Sequence, residues 1–293
     1  MRRTAALLIL CLLIFPQTYG QTEKLPKVIE EGWELVTAGC DFPEGPTYDR
    51  EKNLYFSNCY GRWITKWDGN KVTEFVNFKE DTLIVNRTNG LAFHDGYIYA
   101  CEYGNGSIIK FDELGMAEIL ASGYVGKRFN RPNDLVIDEA GNIYFSDPKS
   151  YSRENLDGRL FRTNISTGKV ELVYSELGFP NGINLSKDGR HIYLSESAFQ
   201  RVLKFDIMED GMLSYPKTLV ELPGGDPDGV EVDKDGNLFV AHFGGKAVYK
   251  ITPEGEIIAK YITPGKKPSN VEIVGDYLIV TECETNSVYR IKR

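Results

Sequence analysis

The sequence predicts an all-β, six-bladed β-propeller with four strands per blade, closed by an N-terminal strand that pairs with the C-terminal blade. Three observations predict it. A short unit recurs six times at a spacing of roughly 40 to 50 residues, the period of a propeller blade. No stretch shows sustained helical periodicity. The sixth unit is one strand short, while an unpartnered β-prone run precedes the first. Pairing those two pieces closes the ring and covers an open sheet edge.

Each unit has two halves. The first begins on a polar residue followed by an apolar run: Glu44-Gly45-Pro46, Asn89-Gly90-Leu91, Asn133-Asp134-Leu135, Asn181-Gly182-Ile183, Asp228-Gly229-Val230 and Ser269-Asn270-Val271. The second begins at Leu54, Ile98, Ile143, Ile192, Leu238 and Leu278 and ends on a small residue and a polar one. The outer strands follow at Trp63–Trp67 and Val72–Val76, Ser107–Asp112 and Ala117–Ala121, and Leu160–Thr163 and Val170–Tyr174. Blade four continues at Val202–Ile207 and Tyr215–Glu221, and blade five at Ala247–Ile251 and Glu256–Ile262. Blade six has Val271–Val274, Tyr277–Thr281 and Val288–Ile291, and Trp33–Ala38 is its missing member. Gly and Asx turns such as Asp68-Gly69-Asn70 and Lys234-Asp235-Gly236-Asn237 supply the hairpins. One connection is irregular: Asp147 to Gly158 runs about a dozen residues where other blades turn in fewer, and an extended loop on a regular scaffold is a functional candidate.

Residues 1–20 read as a secretory signal, with Arg2 and Arg3, an apolar stretch from Ala5 to Phe15, and small residues ending at Gly20. That stretch is too short to span a bilayer. The expectation is one propeller domain over 21–293, secreted or periplasmic, with Gln21–Glu31 a polar lead-in. The formal charge is −8 over 293 residues, and about −10 without the two leading arginines. Such acidity argues against nucleic acid or an anionic membrane as partner. Cys40, Cys59, Cys101 and Cys283 remain after the signal and permit disulfides, with three pairings open. The sequons at Asn86, Asn105, Asn164 and Asn184 are permissive only.

The first strand of every propeller blade lines the central channel, so the six starters Glu44, Asn89, Asn133, Asn181, Asp228 and Ser269 converge at one mouth. All offer oxygen, and none is a thiol or imidazole. This suits one hard divalent cation, calcium above all, with zinc, manganese or magnesium as alternatives. Asn-Gly and Asp-Gly are also ordinary turn formers, and for Asn89 and Ser269 that reading stays open. Glu44 and Asp228 argue for an ion, because two carboxylates facing each other repel unless a cation sits between them. The polar ends of the second halves, Asn58, Glu102, Asp147, Glu196, His242 and Glu282, are expected to ring the same mouth. Asn89, Glu102, Asp147 and His242 are accordingly candidate mouth residues.

The segments Phe42-Pro43-Glu44-Gly45-Pro46, Arg131-Pro132-Asn133-Asp134, Tyr144-Phe145-Ser146-Asp147-Pro148, Pro180-Asn181-Gly182 and Pro227-Asp228-Gly229 resemble the regucalcin–gluconolactonase–luciferin-regenerating enzyme family, with paraoxonases and diisopropyl-fluorophosphatase as distant relatives. The resemblance implies one catalytic divalent cation held by Glu44, Asn181 and Asp228. It gives Asn133 as a further ligand or substrate contact, Arg131 as a substrate-binding arginine and Asp228 as candidate general base. It implies hydrolysis of a small-molecule lactone or related ester. An organophosphate-type hydrolase on the same ion, and a non-catalytic ligand-binding propeller with a structural ion, are the alternatives. Oligomeric state is not legible.

Overall fold

The computed structural model describes residues 25–78 and 84–293, so the expected signal segment lies outside the described residues. Six sheets, each built on four antiparallel strands, surround an axis. Blade one comprises Pro43–Tyr48, Leu54–Asn58, Trp63–Trp67 and Val72–Asn77; blade two Thr88–His94, Tyr97–Glu102, Ser107–Phe111 and Ala117–Ala121. Blade three comprises Leu135–Ile137, Asn142–Asp147, Gly158–Asn164 and Glu171–Leu177; blade four Pro180–Leu185, His191–Glu196, Arg201–Asp206 and Lys217–Glu221. Blade five has Asp226–Val232, Leu238–Phe243, Ala247–Ile251 and Ile257–Ile262. Blade six has Pro268–Val274, Tyr277–Glu282 and Ser287–Lys292 with Glu34–Ala38 as its outer strand, antiparallel to Ser287–Lys292.

The expected ring closure is therefore the one observed. Trp33, at its start, donates its indole N–H to the Ile262 carbonyl of blade five at 2.7 Å. The lead-in differs from expectation. Lys27–Ile29 is a strand, added in parallel to Ile257–Ile262 as a fifth member of blade five. Its three residues carry no alternating pattern long enough to announce a strand, and its pairing is supplied by the edge it covers.

The hydrophobic core is divided into six clusters, one between each pair of neighbouring blades. Between blades two and three, Cys101 and Ile108 meet Ile143, Phe145 and Phe161, with the Phe129 ring edge-on to Phe145 and tilted against Phe161. Because blades pack face to face, each second strand is buried on both sides. This is why Leu-Tyr-Phe, Ile-Tyr-Phe and Leu-Phe-Val read as continuous apolar runs rather than alternating ones.

Polar clips join the blades nearer the axis. Ser57 Oγ is 2.7 Å from the Asn89 carbonyl, Ser146 Oγ 2.6 Å from that of Asn181, and Ser197 Oγ 2.8 Å from that of Pro227. Ser269 Oγ donates to the Pro43 carbonyl at 2.7 Å. Each hydroxyl therefore fixes the backbone at the head of the next blade's inner strand, where a starter residue sits. Ser146 also accepts the Asp134 N–H at 3.1 Å, so it serves two buried partners. Ser146→Ala would strand both, at a cost of about 1–3 kcal/mol. We expect the denaturant midpoint to fall accordingly with an unchanged m-value, measured by urea unfolding.

Candidate functional site

Inner strands of neighbouring blades approach closely at the axis, and the glycine after a starter permits it. A Cβ on Gly45 would lie 2.4 Å from the Asn89 carbonyl oxygen, and one on Gly182 2.2 Å from that of Asp228. Gly45 also has φ +47°. The Glu-Gly, Asn-Gly and Asp-Gly pairs are thus not loop turns. They lie in strands, at register shifts in the pairing with the second strand, and such bulges re-aim a side chain.

At blades three and six the starter is followed by Asp134 and Asn270 instead of glycine. Their side chains fill the axis and meet across it, Asn270 Nδ2 donating to Asp134 Oδ2 at 3.4 Å. This contact divides the channel into two spaces. The upper is a cleft of about 190 Å³, the lower a cavity of about 220 Å³ lined by Thr47, Asp134, Asn184, Glu231, Asn270 and Glu272 among others. Asn184 gives its amide to Glu231 and the Val230 carbonyl there, which leaves that sequon's nitrogen engaged in the channel.

The upper cleft brings together Glu44, Asn89, Asn133, Asn181 and Asp228, all of them buried. Asn181 donates its amide to Ser197 Oγ at 3.2 Å, leaving its Oδ1 as the free acceptor. Ser269 is not part of this site; its hydroxyl is spent on the Pro43 carbonyl and Thr281. Burial, then the nearby Asp134 charge, pushes the Glu44 carboxyl up to about 8, partly offset by the Gly45 N–H. Asp228 is raised well above the usual carboxylate range by burial and by the charges of Glu44, Asp134 and Asp226. Neither acid is ion-paired to a lysine or arginine among the described residues. Among those residues no group of three or more His, Cys, Asp or Glu side chains is gathered for a metal. The donors here are two carboxylates and three amides, so an ion would complete its shell with amide oxygens and water.

The expected outer ring is corrected by the structure. Glu102, Asp147 and His242 are buried behind the cleft rather than lining it, and so are Asn58, Glu196 and Glu282. Each pins the loop that leads into its own blade. Glu102 accepts the N–H groups of Asn86, Arg87, Gly104 and Asn105; Asp147 accepts those of Arg131 and the Arg159 guanidinium. Glu196 accepts Gly178 N–H, Glu282 accepts Lys267 N–H and Asn58 accepts Asp41 N–H. His242 Nε2 donates to the Leu222 carbonyl at 2.8 Å, and burial holds the ring below its ordinary value, hence neutral. A strand-end polar residue satisfies buried backbone as readily as it faces water, and period alone does not separate the two. Arg131 stands just outside the cleft, its guanidinium over the Tyr103 ring. Among the described residues the four cysteines, Cys40, Cys59, Cys101 and Cys283, are free; Cys59 lines the cleft, with its thiol pushed up to about 12 by burial.

The sequence reading missed the cleft walls: Phe42, Tyr60, Tyr103, Tyr151, Phe179 and Phe243, with Asp226 beside them. A signal existed. Phe42 and Phe179 each precede a Pro-starter pair, and both adopt left-handed φ, 56° and 60°, a conformation held only where surroundings impose it. Tyr60 and Tyr103 follow the second strands of their blades within two residues, and Phe243 is the last residue of its own. Tyr151 comes from the long blade-three loop, which crosses blade four: its hydroxyl donates to Asp226 Oδ1 at 2.7 Å and its ring packs on Phe179.

A family model described as SMP-30/Gluconolactonase/LRE-like region matches residues 42–282, from the wall residue Phe42 to the loop anchor Glu282. The chain belongs to this family. Among the family's curated relatives, a gluconolactonase of Zymomonas mobilis subsp. mobilis is 30% identical, aligned over 81% of this chain and 74% of its own length. A solved gluconolactonase structure from Xanthomonas campestris has TM-score 0.78 and 24% identity, covering 89% of each chain. A calcium-binding regucalcin from Agrobacterium tumefaciens has TM-score 0.77 and 20% identity, covering 91% of this chain and 95% of that one.

The lower cavity gives this family member a pH-dependent stability. Burial pushes Glu231 up to about 7, and burial with the Glu231 charge raises Glu272 well above the usual carboxylate range. An unfolded glutamate loses its proton near pH ~4.3. Between there and pH 7 the native state keeps a proton that the unfolded chain has released, so stability falls as pH rises. Glu231→Gln should leave stability at pH 4.5 unchanged and raise it at pH 7 by on the order of 1 kcal/mol, read by thermal unfolding at the two pH values.

Proposed function

We propose that this protein is a divalent-metal-dependent hydrolase of a lactone or closely related ester. The observation that carries this reading is the pairing of Glu44 with Asp228, both buried, in a cleft where amide groups stand beside them and no lysine or arginine among the described residues supplies a counter-charge. Two such carboxylates are stable together only protonated or bridged by a cation. The gluconolactonase relative supports the substrate class.

Glu44, Asn181 and Asp228 would hold the ion, with Asn133 completing the set or fixing the substrate beside it. A hard divalent cation held there would supply Lewis-acid polarisation of the carbonyl and stabilise the negative charge that develops as water adds. The chain's own groups do the rest. Phe42, Tyr60, Tyr103, Tyr151, Phe179 and Phe243 enclose the apolar face of the substrate and exclude bulk water. Asp228 is foremost a ligand, because a carboxylate bound to a dication is a weakened base. Asp226, which lines the cleft and already accepts the Tyr151 hydroxyl, is positioned as a second carboxylate toward which the water's proton can pass.

Metal analysis and a lactone panel with and without chelator test this. We expect one calcium-class ion per chain, turnover abolished by chelation, and at least a thousandfold loss in Asp228→Ala. Metal-independent turnover, or none on any lactone or ester, would overturn it. Because Glu44 holds its proton to about 8 without an ion, loading at pH 7 should release protons. Calorimetry in two buffers of different ionisation enthalpy reads that release.

A further inference from the structure

A second, strongly polar pocket opens beside the cleft, lined by Tyr60, Asn86, Arg87, Tyr103, Gly104 and Arg131. Tyr60 and Tyr103 belong to both spaces and form the wall between them. On the far side of that wall lie two guanidinium groups, Arg87 with its carbon 5.8 Å from the Tyr60 ring centre and Arg131 at the same distance from Tyr103.

Neither guanidinium is ion-paired to a carboxylate among the described residues. The neighbouring carboxylates are engaged elsewhere: Glu102 by four backbone N–H groups, and Asp147 by the Arg131 backbone and the Arg159 side chain. Arg87 Nε is buried and has no hydrogen-bond partner. A half-buried cation with an unmet donor is costly unless a ligand supplies the acceptor. On a chain of net charge −8, two unpaired arginines flanking an acidic cleft are unexpected as solvated surface. Arginine's planar fork, backed by a ring face, matches a carboxylate or similar oxyanion.

We infer that Arg87 and Arg131 form an anion subsite, and that the substrate is a lactone or ester bearing a negatively charged substituent, a carboxylate foremost, remote from the scissile carbonyl. The inference rests on the hydrolase reading for the cleft. The reacting carbonyl would lie among Glu44, Asn181 and Asp228, the substrate would cross the Tyr60–Tyr103 wall, and its anion would reach the two arginines. Arg87 would extend the substrate-binding role that the family resemblance implies for Arg131.

Two measurements test it. In the first, kcat/KM is compared for a matched pair of γ-lactones, one with a side-chain carboxylate and one with its methyl ester. Wild type should favour the carboxylate, and Arg87→Met and Arg131→Gln should each lower that preference at least tenfold, mainly through KM. Arg131 is exposed, so its variant keeps the test open if Arg87→Met fails to fold. In the second, calorimetry follows benzenesulfonate, an anion that competes poorly for hard cations. Wild type should bind it, and both variants should bind it at least tenfold more weakly. A preference unaltered by either substitution, or no sulfonate binding by wild type, overturns the subsite while leaving lactone hydrolysis standing. Sulfonate binding that is lost in the variants supports the subsite even if no lactone is turned over, an outcome that overturns only the hydrolase reading.

Discussion

Five carboxylates share one narrow axis: Glu44 and Asp228 above, Asp134 at the divide, Glu231 and Glu272 below. None is ion-paired to a lysine or arginine among the described residues, and burial raises every one. Much of the surrounding architecture holds these groups together against their repulsion. Glycines at Gly45 and Gly182 let inner strands approach until side chains from opposite blades face each other. Serine hydroxyls lock the heads of those strands to the neighbouring blade. Six apolar interfaces then fix the radius of the ring, because packed interiors yield little to local strain. The electrostatic cost is local to the axis, and the cohesion that offsets it is spread over the periphery.

The blades share one backbone plan and differ at a few positions, and the differences carry chemistry. Where a starter is followed by glycine, it sits close to its neighbours. At Asn133-Asp134 and Ser269-Asn270 the second residue keeps a side chain, and those two residues build the floor of the cleft. Asymmetry of this kind converts a ring with approximate sixfold repetition into a site with a definite orientation.

Much of this was legible in the sequence. The period, the short sixth unit and the orphan strand at Trp33–Ala38 specify the propeller and its closure. The convergence of Glu44, Asn133, Asn181 and Asp228 follows once inner strands are assigned. Three things were not legible, each for a physical reason. Lys27–Ile29 is a strand only because an edge awaits it. Glu102, Asp147 and His242 occupy the register expected of mouth residues, yet they satisfy buried backbone groups, and register says nothing of which partner a polar atom finds. The aromatic wall comes from loops of different blades and shares no common spacing. Its one local mark, a Phe before Pro at Phe42 and Phe179, shows its meaning only beside the left-handed backbone there.

The closing strand has a consequence for how the chain acquires its shape during synthesis. Glu34–Ala38 pairs with Ser287–Lys292, so nearly the first described residues wait for the last. A ribosome delivers the chain from its N-terminus, and domains fold as their residues emerge. Blades one to five can each form their hairpins in turn, but the early strand stays without its blade-six partner until Ser287–Lys292 has been made. Closure of the ring is therefore a late event, and a chain cut before Ser287 lacks the strand on which Glu34–Ala38 must dock.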